Sequence, residues 1–251
     1  MSANLKPQHA TPSSVRGLTI LLPTLNEVEA LSDVVRGLPL TGLEDAGWRP
    51  RIVVTDGRST DGTVELASEL GLEVVVQAHL GGKGIGMREA FARFLEGDDH
   101  ALVMLDADGT YDPGEMMRML APLSNGKSVV MGSRLRGRIE PGAMGRFNYV
   151  GNHIITWTAV ALYRVFVSDV CTGYWAFTRD AVSAMSLNSK SFEIEAEMYT
   201  ACASGGLAIG EVPITYARRV GESKLGSVRD GVRILRKLLV RRLFPNPVNR
   251  V

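Results

Sequence analysis

Short unbroken apolar runs alternate with stretches of helical period along the first half of the chain. Gly17-Leu18-Thr19-Ile20-Leu21-Leu22 is such a run, ended by Pro23, and Asn26-Glu27 then opens a helical stretch to about Arg36. Arg51-Ile52-Val53-Val54-Thr55 repeats the strand signal, and a polar loop from Asp56 to Thr63 leads into a helix over 64–70. A third strand is predicted over 72–77. After Gly81-Gly82-Lys83-Gly84, the apolar Ile85, Met87, Ala90, Phe91 and Phe94 fall at helical spacing. Leu102-Val103-Met104-Leu105 reads as a fourth strand, buried on both faces, with a helix opening at Pro113, and 128–132 as a fifth strand. Strands and helices in this alternation predict an α/β fold: an open, mostly parallel sheet with helices on both faces. No period of solenoid length is visible.

The second half is less regular. Helices are predicted over 148–163, 192–202 and 228–244, with extended segments over 173–177 and 207–216. Between Arg146 and Arg164 lie 17 residues without a formal charge, near the lower limit of a membrane span. Asn148, Asn152, His153, Thr156 and Thr158 interrupt that stretch, so two readings stand: a helix shared between protein and lipid head groups, or a core helix. In the last predicted helix Val228, Val232, Leu235, Leu239 and Leu243 recur on one face, and no acid occurs from Gly231 to Val251. Such a basic amphipathic helix fits a membrane surface, or packs its stripe on its own core. The predicted organisation is a loose N-terminal arm (1–16), one α/β domain (17–227) and the basic helix with its tail (228–251). No further apolar span follows, so the expected membrane contact is peripheral unless an anchoring subunit supplies one.

Composition narrows the picture. The 28 basic and 27 acidic residues leave a net charge of +1, which offers no global case for a nucleic-acid partner. Cys171 and Cys202 have neither metal nor disulfide-framework spacing and read as packing residues. The first residues lack the apolar core of a secretion signal.

The chemistry gathers after the strands. In an open α/β sheet ligands sit at the carboxyl edge, and four loops belong there: Pro23 to Glu27, Asp56 to Thr63, Gly81 to Gly84, and Asp106-Ala107-Asp108. Two acids spaced like Asp106 and Asp108 suit a hard cation or a diphosphate held by it, or else an Asx turn capping the next helix. Arg58, Lys83 and Arg88 are candidate phosphate contacts or solvated charges.

Together these motifs resemble family-2 glycosyltransferases of the GT-A fold, from about Leu18 to at least Leu225. The resemblance implies that Asp56 holds the nucleobase, that Pro23, Asn26 and Glu27 form the first nucleotide loop, and that Asp106 and Asp108 form the Asp-x-Asp motif. That motif binds Mg2+ or Mn2+ and the sugar nucleotide, with Thr110 as a further ligand. Thr55 stands where relatives often carry a second acid. Gly132-Ser133-Arg134, Asp169 to Tyr174, Phe192 to Glu195 and Arg218 to Leu225 look like the successive motifs of dolichol-phosphate mannose synthases and of archaeal enzymes that load sugars from uridine-diphosphate donors onto dolichyl phosphate. Arg134, Arg218, Arg219, Ser223 and Lys224 then become candidates for the acceptor phosphate. Asp169 orients acceptor or donor, or caps the backbone at Thr172 and Gly173. Glu193 and Glu195 either support the basic loop or serve as first-turn charges of a helix.

The implied activity is inverting transfer of a sugar from a nucleotide-diphosphate donor to a polyprenyl phosphate, on the cytoplasmic membrane face, for glycan synthesis. The loops look closer to the UDP-glucose or UDP-N-acetylglucosamine branch, with GDP-mannose as the alternative. A sugar-nucleotide nucleotidyltransferase would place a glycine-rich basic signature after the first strand, where Pro23-Thr24-Leu25-Asn26-Glu27 stands. A non-catalytic sugar-nucleotide binder would have less reason to keep both Asp106 and Asp108.

Overall fold

The computed structural model describes residues 15–221 and 227–245. Seven strands form one sheet in the order β3-β2-β1-β4-β6-β5-β7. They are β1 (Arg16–Thr24), β2 (Trp48–Asp56), β3 (Glu73–Val76), β4 (Ala101–Met104), β5 (Val129–Ile139), β6 (Trp175–Thr178) and β7 (Ile209–Tyr216). All neighbours run parallel except β6, which is antiparallel to both β4 and β5. This is the α/β, mostly parallel sheet expected from the alternation of runs.

Side chains alternate across the strands and so divide the core in two. Leu18, Ile20 and Leu22 face one layer with Val54, Val103 and Val130, while Leu21 joins Val53, Leu102, Met104 and Met131 on the other. The first layer is covered by α1 (Val28–Arg36), α2 (Leu40–Asp45), α3 (Thr63–Glu69) and α5 (Met116–Ser124). The second is covered by α4 (Lys83–Glu96), α6 (Arg146–Tyr163), α7 (Arg179–Ala184), α8 (Ile194–Ser204) and α9 (Ser227–Leu243). A 3-10 turn over Pro113–Glu115 leads into α5, capped by the Asp112 carboxylate accepting from Gly114 N–H.

Register brings the chemistry to one edge. Thr24 lies beside Asp56, and Leu21 beside Met104, so β1, β2 and β4 release their loops together. Because β6 is antiparallel, with Trp175 beside Met104 and Met131, the segment that precedes it enters from that same edge. Asp169 to Gly173 therefore joins the loops that follow β1, β2 and β4.

The stripe expected on the last helix faces outward. Val228, Val232, Leu239 and Leu243 are exposed, whereas Ile234 and Leu238, on an adjoining face, enter the core. Packing on its own core is thus excluded for most of the predicted stripe. The helix is instead anchored by Glu197 of α8, which is fully buried, accepts from Asn188 and Ser189 N–H, and pairs with Arg241 at 2.9 Å and Lys237 at 3.2 Å. Along α6, Phe147, Val150, Ile154 and Trp157 are likewise exposed while Ile155 and Ala159 are buried. No helix among the described residues is long and apolar enough to cross a membrane.

Candidate functional site

The loops after β1 and β2 are stitched into one surface. Asn26, in a left-handed conformation (φ 51), receives Thr60 N–H on its side-chain oxygen, and its own N–H donates to Ser59 Oγ. Glu27 N–H donates to Thr63 Oγ1, and Val28 N–H to Asp61. Asp56 is fully buried at the end of β2 and accepts from Thr24 Oγ1, Ser59 N–H and Ser59 Oγ. Pro23 precedes this corner as the β1 neighbour of Thr55.

Past β4, each acid meets a cation from a distant part of the chain. Lys83, in the first turn of α4, bridges Asp106 Oδ1 at 2.5 Å and Glu195 Oε1 at 2.6 Å. Burial opposes the lysine charge, but the two carboxylates outweigh it and hold the ammonium well above its ordinary range. Burial raises the Glu195 carboxyl, with Lys83 pulling the other way. Gly82 and Gly84 allow this approach by packing on protein backbone: a Cβ at Gly84 would lie 2.7 Å from the Ser189 carbonyl oxygen.

Arg219 makes the second bridge, to Asp108 Oδ2 at 2.7 Å and Glu27 Oε1 at 2.5 Å. Its reach follows from the backbone, since Ala217 N–H donates to Thr110 O and Val220 N–H to Asp108 O. Thr110 donates to Asp108 Oδ1 through both its N–H and its hydroxyl, which fixes that carboxylate.

Behind these groups lies a third pair. Arg134 holds the fully buried Asp169 with Nε and a terminal nitrogen, each at 2.7 Å, and its backbone N–H adds a third bond. Asn152 contacts the same guanidinium at 3.4 Å, and the Tyr216 ring lies 5.2 Å from its carbon. Burial of the guanidinium opposes its charge, yet Asp169 keeps it firmly protonated. Tyr111 links the groups by accepting Gly173 N–H at 2.6 Å, and burial raises its phenol well above the usual range.

Among the residues expected to meet an acceptor phosphate, Arg134 and Arg219 are thus already engaged by carboxylates. Arg218 is exposed beside Gly142, with no ion pair among the described residues. Ser223 and Lys224 lie outside the described residues. Arg58 is tied to the carbonyls of Gln77 and Ala78. Glu193 precedes α8 and accepts from Lys190 and Ser191 N–H. The contributions of Asn152, Tyr111 and Tyr216 carried no sequence signal, because each depends on residues far along the chain.

The donor set suits a hard divalent cation. No cluster of three or more His, Cys, Asp or Glu residues among the described residues could hold a metal alone. Magnesium-type ions are commonly bound by one or two carboxylates, with substrate phosphates and water completing the shell. Asp106 and Asp108 supply two such carboxylates, here balanced by Lys83 and Arg219.

Comparison with known proteins shows the family and the fold. The family described as glycosyl transferase family 2 matches residues 19–185. The glycosyltransferase AglJ of Haloferax volcanii is 39% identical over 95% of this chain and 75% of its own length. A dolichyl-phosphate hexose transferase of the same organism is 30% identical, covering 86% of this chain and 90% of its own. Glucosyl-3-phosphoglycerate synthase of Mycobacterium tuberculosis, solved with Mn2+, UDP-glucose and phosphoglyceric acid, shares the fold at a TM-score of 0.70 and 20% identity, over 97% of this chain and 88% of that one.

Proposed function

The chain belongs to glycosyl transferase family 2, and we propose that it transfers a sugar from a nucleotide-diphosphate donor to the phosphate of a dolichyl or other polyprenyl phosphate, for glycan assembly. The observation that carries this reading is the charge arrangement at the sheet edge. Lys83 joins Asp106 to Glu195, and Arg219 joins Asp108 to Glu27. The dolichyl-phosphate hexose transferase among the relatives supports the lipid-phosphate acceptor.

Asp56 and the Pro23 to Glu27 loop hold the nucleoside end. Asp106 and Asp108, the latter fixed by Thr110, would hold Mg2+ or Mn2+, which would neutralise the leaving diphosphate. Lys83 passes from Asp106 and Glu195 to the donor's phosphate oxygens as the donor enters, and Arg219 passes from Asp108 and Glu27 to the acceptor phosphate. Arg218, Arg219, Ser223 and Lys224 receive the acceptor phosphate. Arg134 acts more deeply, fixing Asp169 against the wall of the acceptor path.

An acceptor phosphate oxygen is already anionic near neutral pH, so no strong general base is required. The oxygen attacks the anomeric carbon in line as the bond to the donor diphosphate breaks, inverting configuration through an oxocarbenium-like transition state. Positioning and charge neutralisation supply the rate. The catalytic unit spans 17–227, and 228–251 forms the surface helix with its tail. The exposed faces of α6 and α9 lie on the cytoplasmic side of a membrane, where the acceptor's tail stays.

A donor panel tests this reading: radiolabelled UDP-glucose, UDP-N-acetylglucosamine and GDP-mannose, each with dolichyl phosphate and magnesium or manganese. Label enters organic-extractable lipid from a uridine-diphosphate donor, and chelator or Asp108→Ala stops it. Turnover that survives both treatments overturns the assignment of the site.

A further inference from the structure

The solvent side of α9 carries chemistry that sugar transfer does not use. A cleft of about 300 Å³ lies between this helix and the start of α8, lined by Glu193, Arg233, Arg236, Lys237 and Val240. Lys237 is committed to Glu197 and Asn188, and Arg233 leans on Asp230 at 3.3 Å. Arg236 is exposed and has no ion pair among the described residues. One Glu193 oxygen takes the backbone N–H groups of Lys190 and Ser191, while the other, Oε2, is enclosed without a hydrogen-bond partner among the described residues.

Two requirements on a ligand follow. The arginines call for an anion, and a phosphate ester meets their donor geometry. The Glu193 carboxylate only accepts, so it favours a ligand that brings a hydroxyl and disfavours a bare phosphate dianion. The surroundings identify the source of the phosphate. Arg236 sits in one helical row with Val232, Leu239 and Leu243, which are 62%, 51% and 74% exposed. Beside α9, α6 exposes Phe147, Val150, Ile154 and Trp157, and Phe166 is 90% exposed. A free phosphate ester leaves all these groups in water. A lipid covers them while its head group reaches the arginines.

We propose that this cleft binds the head group of an anionic phospholipid, with phosphate oxygens on Arg233 and Arg236 and a head-group hydroxyl donating to Glu193. The site deepens the membrane part of the proposed function, and it is tested without turnover, so its failure is distinguishable from failure of the transferase reading.

The test is flotation of the full chain, without substrates, on vesicles of phosphatidylcholine alone or with phosphatidylglycerol or phosphatidic acid at equal mole fraction. Binding is strongest with phosphatidylglycerol, weaker with phosphatidic acid and weakest with phosphatidylcholine. Arg236→Glu lowers binding to phosphatidylglycerol vesicles roughly thirtyfold, as expected for reversing one charge near an anionic surface. Glu193→Gln removes the preference for phosphatidylglycerol over phosphatidic acid. Circular dichroism of both variants confirms that they are folded. Equal binding to neutral and anionic vesicles overturns the proposal, as does an Arg236→Glu variant that floats like the original chain. Calorimetric binding of glycerol 3-phosphate as tight as that of vesicles overturns the lipid assignment in favour of a free phosphate ester.

Discussion

Gly173 offers a direct probe of the Asp106 position. A Cβ built on it lies 2.2 Å from Asp106 Oδ2 and 2.7 Å from Asp106 Cγ. Ordinary contact between carbon and oxygen needs about 3.3–3.6 Å, so Gly173→Ala pushes the carboxylate away by roughly 1 Å. The φ of Gly173 is not positive, so alanine meets no backbone penalty there. Asp106 is 26% exposed at its side chain and has room to swing, leaving Lys83 on Glu195. The stability cost is therefore that of one weakened bond, about 1–2 kcal/mol. A displacement of about 1 Å in positioned reacting groups costs on the order of a hundredfold in rate. The expected result is a folded variant whose kcat for sugar transfer falls about a hundredfold. Gly42→Ala is the matched control, because nothing lies within 4 Å of its added Cβ, and it retains full activity. Near-normal turnover in Gly173→Ala refutes the claim that Asp106 must stand where the structure places it.

Lys83→Met leaves Asp106 and Glu195 facing each other without their shared cation, and kcat/KM for the donor falls about a hundredfold; a loss below about threefold excludes Lys83 from the donor site. Glu197→Gln strips Arg241 and Lys237 of their buried partner, and urea unfolding reports a loss of about 3–5 kcal/mol; an unchanged midpoint shows that α9 is held by its apolar face alone. Glu73 predicts a pH effect. Its burial acts to raise the carboxyl, but hydrogen bonds from Arg51 and Arg93 prevail and hold it below its ordinary value of 4.5. The resulting stability is full above about pH 4.5 and is lost as pH falls through the lower folded value. Glu73→Gln therefore flattens the acid limb of the stability curve, and an unaltered limb contradicts the assignment.

Most of the fold was legible because its strands are short, apolar and closed by polar loops. The unbroken apolar run from Gly17 to Leu22 marked β1, and helical spacing in Ile85 to Phe94 marked α4. At six residues each, α2 and α7 are too short to show a period. The reversed direction of β6 left no local mark, since strand direction is settled by pairing with β4 and β5. The stripe on α9 was visible, but its direction was not: Ile234 and Leu238 win the core because Arg241 and Lys237 reach Glu197 from that side. At the site, the motifs located Asp106, Asp108 and Lys83, while their partners depended on distant segments. The pairing of Arg219 with Glu27 joins residues 192 positions apart, and the link from Arg134 to Asp169 is equally a product of the folded sheet.

The most direct test of the account is the chemistry of the product formed from dolichyl phosphate compared with unphosphorylated dolichol. With the preferred donor, label enters lipid only when the phosphate is present, and the product is a glycosyl phosphodiester of inverted anomeric configuration. Label on dolichol itself, on water-borne acceptors alone, or released only as free sugar contradicts transfer to a lipid phosphate.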